Sequence, residues 1–449
     1  MEETHITVIG GGVAGCEAAY QASIRGHSVH LYEMRPERST QMHRTGMLAE
    51  LVGSNSFGPE RLDKSSGLLM EELRLLGSLT AAAADAARTG NHFDIQVDAG
   101  RFSQIIQTTL QNDARVTFVS EEAILQDTQG PVIIATGPRT TSSIARVLYR
   151  KTGQEYRFFY GATEPLLDAA SIDMEKTWRA GRFDGDTPEY LNCALDEDGF
   201  EYFAAIMQEA RHRYNDLEHV DFFPPLLPLE LYAEDDPMRV LGGALNAAGL
   251  TDPKTGEEPY AACQLAPVDE SESVWRIVNA RTGAPAPLQE KMWRTFPALS
   301  DARFVSHGDV HQAAYINAPA VVHESLQICG HEKLLVAGGL TGLCSYSAAA
   351  ALGWIAGVNA ARIQENQQPL SAPVETLTGA MLRHVAGGNG GGSYSAMFPN
   401  FGLLPPFKQS DGDTRDRKIA RSEHALDGME KWVKDLQIAE PELSSALQQ

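Results

Sequence analysis

Gly10, Gly12 and Gly15 are spaced as GxGxxG within HITVIGGGVAGCEAAYQASIRGHSVHLYEM, and an acid, Glu33, follows 18 residues after Gly15. Residues of these types at this spacing hold a dinucleotide. The first Gly makes a tight turn, the second lets the backbone meet a pyrophosphate, and the third lets helix and strand pack closely. The helix N-terminus then faces the phosphates, and the acid accepts from a ribose hydroxyl. The candidate contacts are Gly10, Gly11, Gly12, Val13, Ala14, Gly15 and Glu33. The flanking sequence supplies the elements such a turn needs. Residues 5–9 are β-branched and alternate, an Ala-rich helix ends at Gly26, and HSVHLYE makes a second strand.

Two later stretches favour FAD over a nicotinamide as the resident dinucleotide. PVIIATGPRTT (131–141) is a buried strand running into Gly137. LLVAGGLTGLCSYSAAAALGWIAGVNAARI (334–363) is a strand, a Gly-rich turn and a long helix of small residues, with Gly338, Thr341, Gly342 and Tyr346 as candidate contacts. A second helix N-terminus far along the chain suits a two-segment flavin site; the alternative is one more βα unit of the same sheet.

LVGSNSF (51–57) has the make-up of an active-site loop, yet nothing in it can attack carbon. Ser54, Asn55 and Ser56 offer hydrogen bonds to a flavin face, or merely close a polar turn. The five Cys (16, 193, 263, 329, 344) show no CxxC and no metal-type spacing, which indicates reduced thiols in a cytoplasmic compartment. MEETHITVIGGG goes straight into an expected strand with no basic n-region or apolar h-region, so no leader is expected, and AAAALGWIAGV (348–358) is too short to span a bilayer. With 37 Lys+Arg against 59 Asp+Glu, a net charge of −22 repels phosphate backbones unless a local patch overrides it.

At 449 residues the chain needs more than one domain. The expected architecture is α/β: a Rossmann-type FAD-binding domain over 1–145 and 301–449, interrupted by an α+β substrate domain over 146–300. SIDMEKTWRAGRFDGDTPEYLNCAL and residues 201–216 are expected to be helix-rich. The Pro-rich 217–235 stretch is expected to be an extended or turn segment rather than a helix, and PYAACQLAPVD and SVWRIVNAR to be strands. Gly387, Gly388, Gly390, Gly391 and Gly392 suit a flap better than a phosphate loop, since no Lys-Ser/Thr follows. Arg415 to Lys434 is a charged helix with a solvated face.

Across nearly its whole length the chain resembles the bacterial folate- and FAD-dependent tRNA (uracil-5-)-methyltransferases, related to the glucose-inhibited division proteins. The resemblance rests on VIGGGVAGCEAAYQ, YEMRP (32–36), ELVGSNSF (50–57), EELRLLGSL (71–79), SIDMEKTWRAGRFDGDTPEYLNC (171–193), YINAP (315–319), AGGLTG (337–342) and NFGLLPP (400–406). It implies FAD, methylenetetrahydrofolate as one-carbon donor, NAD(P)H as reductant and a uracil in tRNA as acceptor. Such chemistry implies a thiolate adding at uracil C6 so that C5 can capture the carbon. The positions that carry the family's two Cys correspond here to Gly53 and Leu226, neither of which is a thiol. Cys193 stands in a block similar to the family's and is the first thiol to ask about as a substitute.

Other departures run the same way. VHQAA (310–314) lacks an Arg and an Asn of the family pattern, and APAPLQEK (284–291) lacks a cation and an aromatic. These are groups that serve phosphate contact and base stacking. The expectation is a flavoprotein that keeps FAD and folate without thiol-based uracil methylation. The alternatives are a genuine RNA methyltransferase with a rearranged mechanism and a non-catalytic flavin or folate binder. His311 and Glu230 are the candidate acid–base groups; the acceptor, and NADH versus NADPH, stay open.

Overall fold

A computed structural model describes residues 4–40, 42–89, 94–123, 129–181, 190–211, 214, 220–388, 394–407 and 413–436. The chain divides into two compact units, one built from Met1–Arg88, Asp94–Arg157 and Ala314–Gln449, the other from Thr89–Phe93 and Phe158–Ala313. The breaks lie somewhat beyond 145 and 300: a helix runs across the first of these positions, and residues 304–313 pair within the second unit.

The first leg of the chain gives β1 (Ile6–Ile9), α1 (Val13–Ser23), β2 (Val29–Tyr32), β3 (Ser56–Pro59), α2 (Ser65–Leu75), α3 (Leu79–Ala86), β4 (Asp94–Gln96), α4 (Ala99–Gln111), β5 (Val116–Val119), β6 (Val132–Ile134) and α5 (Ser142–Thr152). The second unit follows with β7 (Arg157–Ala162), β8 (Leu166–Asp168), β9 (Thr177–Arg179), β10 (Leu191–Leu195), α6 (Glu197–Arg211), α7 (Leu229–Tyr232), β11 (Ala261–Pro267), β12 (Val274–Ile277), α8 (Ala286–Trp293), β13 (Phe304–Ser306) and β14 (Val310–Tyr315). The chain then returns through β15 (Gln327–Ile328), β16 (His331–Val336), α9 (Tyr346–Gln364), α10 (Leu377–Val385) and α11 (Thr414–Asp435).

In the first unit β16, β6, β1, β2 and β5 lie side by side and parallel, with β15 antiparallel at the edge. This is the Rossmann-type sheet, and its central strand β1 is buried at every residue, as its β-branched run requires. Helix α1 is buried along all 11 residues, and α9 packs against it backbone to backbone. A Cβ on Gly353 would lie 2.3 Å from the Ala14 carbonyl oxygen, and one on Gly357 would lie 2.4 Å from that of Ala18. Only glycines permit this approach.

Two buried glutamates anchor neighbouring helices. Glu17 on α1 accepts from Leu79 N, Thr80 N and the hydroxyls of Ser78 and Thr80, at 2.7 to 3.2 Å, and so caps α3. Glu72 on α2 accepts from Leu377 N (2.6 Å), Thr378 N (2.8 Å) and Thr378 Oγ1 (2.7 Å), and so caps α10. Each carboxylate meets a helix N-terminus, where unpaired N–H groups favour negative charge.

The second unit holds an antiparallel sheet in the order β13-β8-β12-β11-β10-β9, with α6 and α8 contributing Phe203, Met292 and Trp293 to its core. Helix α6 and strands β11 and β12 fall on their expected stretches. The 171–195 stretch does not over its described residues, 171–181 and 190–195; residues 182–189 lie outside them. Asp168 and Asp173 each accept from a backbone N–H two residues on, starting one-turn 3-10 segments, and β9 and β10 then pair as strands. The Pro-rich stretch, described from residue 220, holds the 3-10 turn Pro224–Leu226 and one α-helical turn, α7, with Pro228 at its N-cap, where no N–H is needed. Gly387 and Gly388 follow α10, whereas Gly390, Gly391 and Gly392 lie outside the described residues. No described helix is long and apolar enough to cross a membrane.

Burial pushes the Glu72 carboxyl up to about 7, against the donors of Thr378 and Leu377. A carboxyl raised in the fold adds stability that is complete below its unfolded value and is lost as pH rises through the folded value. In urea unfolding, the stability of the native protein relative to Glu72→Gln is therefore expected to fall by on the order of 3 kcal/mol between about pH 4.5 and 8. A difference that stays flat with pH would show Glu72 ionised in the fold throughout.

Candidate functional site

The Gly-rich turns gather at the C-terminal ends of β1, β6 and β16, where an open parallel sheet takes its ligands. Gly10 has φ +107°, and a Cβ there would lie 2.6 Å from the Ala135 carbonyl oxygen. A Cβ on Gly15 would lie 1.8 Å from the Gly10 carbonyl oxygen, so a methyl group cannot enter that position without moving the turn. Gly12 differs. It is the N-cap of α1, no side chain caps the helix, no acid stands in its first turn, and a Cβ on Gly12 would meet nothing within 4 Å. The helix therefore presents Val13 and Ala14 behind an open, uncapped N-terminus, which is what an anionic pyrophosphate fits.

Glu33 stands beside this turn and accepts from Gly11 N at 2.8 Å. Burial raises its carboxyl, but the hydrogen bonds and charge of Arg35 outweigh burial and hold it below the usual range. Across the turn, Gly338 (φ +71°) would bring a Cβ to 2.7 Å from the Ala14 methyl, and Gly339 faces Pro138 beside Gly137. Gly342 (φ +95°) is covered by the rings of Tyr315 and Tyr394. Thr341 is fully buried, with its hydroxyl donating to Gly338 O at 2.9 Å and its carbonyl accepting from Tyr394. Its side chain shapes the turn from within.

Tyr346, the first residue of α9, reaches the 51–57 loop. Its hydroxyl lies 2.7 Å from Val52 O and 2.9 Å from Ser54 O, straddling Gly53. Gly53 is exposed with φ +88°, a conformation that costs any L side chain strain. The loop's polar groups serve the loop. Asn55, 3% exposed, donates to Val97 O at 2.9 Å, and the Ser54 hydroxyl accepts from Ser56 N at 3.2 Å.

The remaining candidates stand in the second unit. Leu226 ends the 3-10 turn Pro224–Leu226 and is half-buried, with its Cβ 2.9 Å from where a Cβ on Gly161 would lie. Cys193 is fully buried on β10, directly opposite Cys263 on β11. A thiol sealed in that core cannot reach a base. Glu230 is 2% exposed and accepts from the Thr282 hydroxyl, and burial pushes its carboxyl up. His311 stands on β14, half-buried. Among the described residues no group of three or more His, Cys, Asp or Glu is placed to hold a metal ion. Sequence reasoning missed Arg35 and Glu50. Both stand in blocks quoted for the family resemblance, but nothing in their spacing says that they meet.

A family model described as "Glucose inhibited division protein A" matches residues 5–368. The chain is 38% identical over 431 residues to the methylenetetrahydrofolate–tRNA-(uracil-5-)-methyltransferase TrmFO of Thermosynechococcus vestitus, covering 95% of this chain and 94% of that protein. It is 35% identical over 443 residues to the protein of the same description from Thermus thermophilus, covering 98% and 99%. Among solved structures, GidA of Aquifex aeolicus superposes with a TM-score of 0.70 at 16% identity, covering 100% of this chain and 78% of that one; this is a likeness of fold.

Removing the Tyr346 hydroxyl should free the turn it straddles. Tyr346→Phe is expected to cost about 1 kcal/mol in denaturant unfolding. Amide exchange should rise at residues 52–57 and stay unchanged in α9. Unchanged exchange at 52–57 would mean the loop is held by its other contacts alone.

Proposed function

The chain belongs to the glucose-inhibited division protein A family, and from that premise we propose that it is an FAD-dependent, folate-using one-carbon enzyme that lacks thiol-based uracil methylation. The observation that carries this reading is the chemistry at the two positions where the resemblance implies cysteines. Gly53 offers only backbone and Leu226 only hydrocarbon, and Cys193 is sealed in the core of the second unit. A mechanism that adds a thiolate to uracil C6 has no thiolate at either position.

FAD, when bound, supplies the redox chemistry of the one-carbon unit. The protein's part is to hold and orient. Gly12 and the uncapped start of α1 receive the pyrophosphate, and Glu33 accepts from the ribose. The turn Gly338–Gly342 and the start of α9 close the second side, with Gly137 beside them. Tyr346 keeps the 51–57 loop in one conformation. Reduced nicotinamide is the reductant in this reading, and Ser54 lies on the tethered loop as a contact for flavin or folate.

A second reading has specific support. The relatives that match over nearly the full chain are named for methylating uracil in tRNA. On that reading a different nucleophile serves, and RNA docks despite a net charge of −22.

The deciding experiment is anaerobic: flavin-loaded protein, NAD(P)H and labelled methylenetetrahydrofolate, with and without a tRNA transcript. A flavin spectrum altered by the folate, with no label in RNA, is expected. Label entering RNA would overturn the proposal in favour of the second reading. Gly12→Asp tests the cofactor site separately. Because the new side chain enters open space at an N-cap, stability is expected to hold or rise by up to about 1 kcal/mol. The new carboxylate opposes the pyrophosphate, so FAD affinity should fall about 100-fold or more. FAD binding at native affinity would place the cofactor elsewhere.

A further inference from the structure

Beside the Gly10–Gly15 turn lies a buried charge cluster of which the cofactor reading above uses only Glu33. Arg35, 3% exposed, follows β2. Its Nε lies 2.9 Å from Glu33 Oε1 and its Nη2 3.2 Å from Glu33 Oε2, while Nη1 lies 3.1 Å from Glu50 Oε2. Glu50 in turn accepts from Arg44 N (2.7 Å), Thr45 N (3.1 Å) and the Thr45 hydroxyl (2.9 Å), which shapes the 44–50 segment. That segment comes back to the turn, where Ala49 N donates to Gly11 O at 2.8 Å. The ring of contacts thus closes on the residue whose N–H already donates to Glu33.

We propose that Arg35 is a positioning residue for the dinucleotide: by bridging Glu33 to Glu50 it holds the ribose-binding carboxylate in one orientation and supplies its counter-charge. This rests on the reading of the turn as an FAD site. The argument is one of geometry. A guanidinium is a planar fork that engages one carboxylate along one edge and a second with its remaining nitrogen; an ammonium is a point charge that does not replace both contacts. Without the bridge, Glu33 and Glu50 become two carboxylates of like charge, both largely buried, with no cation between them. Glu33 then takes up a proton more readily and ceases to be a full acceptor.

The other titratable groups around the pair do not replace Arg35. Burial, with Arg35 and Arg139 adding to it, lowers the His43 imidazole and favours its neutral form, and burial raises the Cys16 thiol. Arg139, which follows Gly137, also bears on His43, and Arg44 adjoins it in the chain.

The test is FAD binding by deflavinated protein, read from quenching of flavin fluorescence, for the native protein, Arg35→Met and Arg35→Lys, with circular dichroism to report folding. Between about pH 8 and 5.5 the native Kd is expected to change less than about threefold. Arg35→Met should bind about tenfold or more weakly at the upper pH and lose about tenfold further at the lower, as Glu33 takes up its proton. Arg35→Lys should fall between the two, with part of the pH dependence. A merely structural role would weaken binding equally at every pH.

Variants that bind within about twofold of native with a flat profile would overturn the inference, as would a loss that does not change with pH. If Arg35→Met does not fold, Arg35→Lys decides by the same criteria. Native protein that binds no FAD at all would overturn the cofactor reading together with this one, whereas native binding with unaltered variants overturns this one alone.

Discussion

The first unit depends on one close contact, the approach of α9 to α1. Gly353 and Gly357 bring their backbone against the carbonyls of Ala14 and Ala18. A Cβ at either glycine would overlap a carbonyl oxygen, and overpacking of that kind forces backbone shifts. This contact carries the Gly338–Gly342 turn, far along the chain, up to the start of α1, where the Gly338 Cα stands within reach of the Ala14 methyl. The two Gly-rich turns meet only because that distance is short.

Around this contact the fold places carboxylates where ordinary side chains would leave backbone groups unpaired. Glu17 and Glu72 each meet the N–H groups at the start of a helix that belongs to another part of the chain. Glu33 meets Gly11 and Arg35. The start of α1 meets no such carboxylate among the described residues. It has no acid and no side-chain cap, and it opens into free space. An uncapped helix start that opens into free space suits an anion from outside.

The same economy of side chains marks the 51–57 loop. Its groups are spent on holding its own shape: Asn55 on Val97, Ser54 on Ser56, and the two carbonyls flanking Gly53 on Tyr346. What it shows to solvent at Gly53 is a left-handed glycine. The absence of a thiol there is therefore a property of the backbone as well as of the side chain. The second unit offers no replacement, since Cys193 faces Cys263 across a sealed strand pair.

The sequence by itself determined the Gly-rich turn between strand and helix, the parallel sheet with an inserted α+β unit and the family, because these follow from local signals: glycine spacing, β-branched runs and extended motif blocks. It misread 171–181 and 190–195, where a short aspartate-started turn and strand pairing stand in place of the expected helix. Those strands are stabilised by partners on β11, far away in sequence, and not by their own periodicity. Nor could spacing disclose that Arg35 joins Glu33 to Glu50, that Tyr346 straddles Gly53, or that Cys193 is inaccessible. Each of these is a contact between residues brought together by packing, and hydrogen-bond geometry and burial are fixed only when the tertiary structure closes around them.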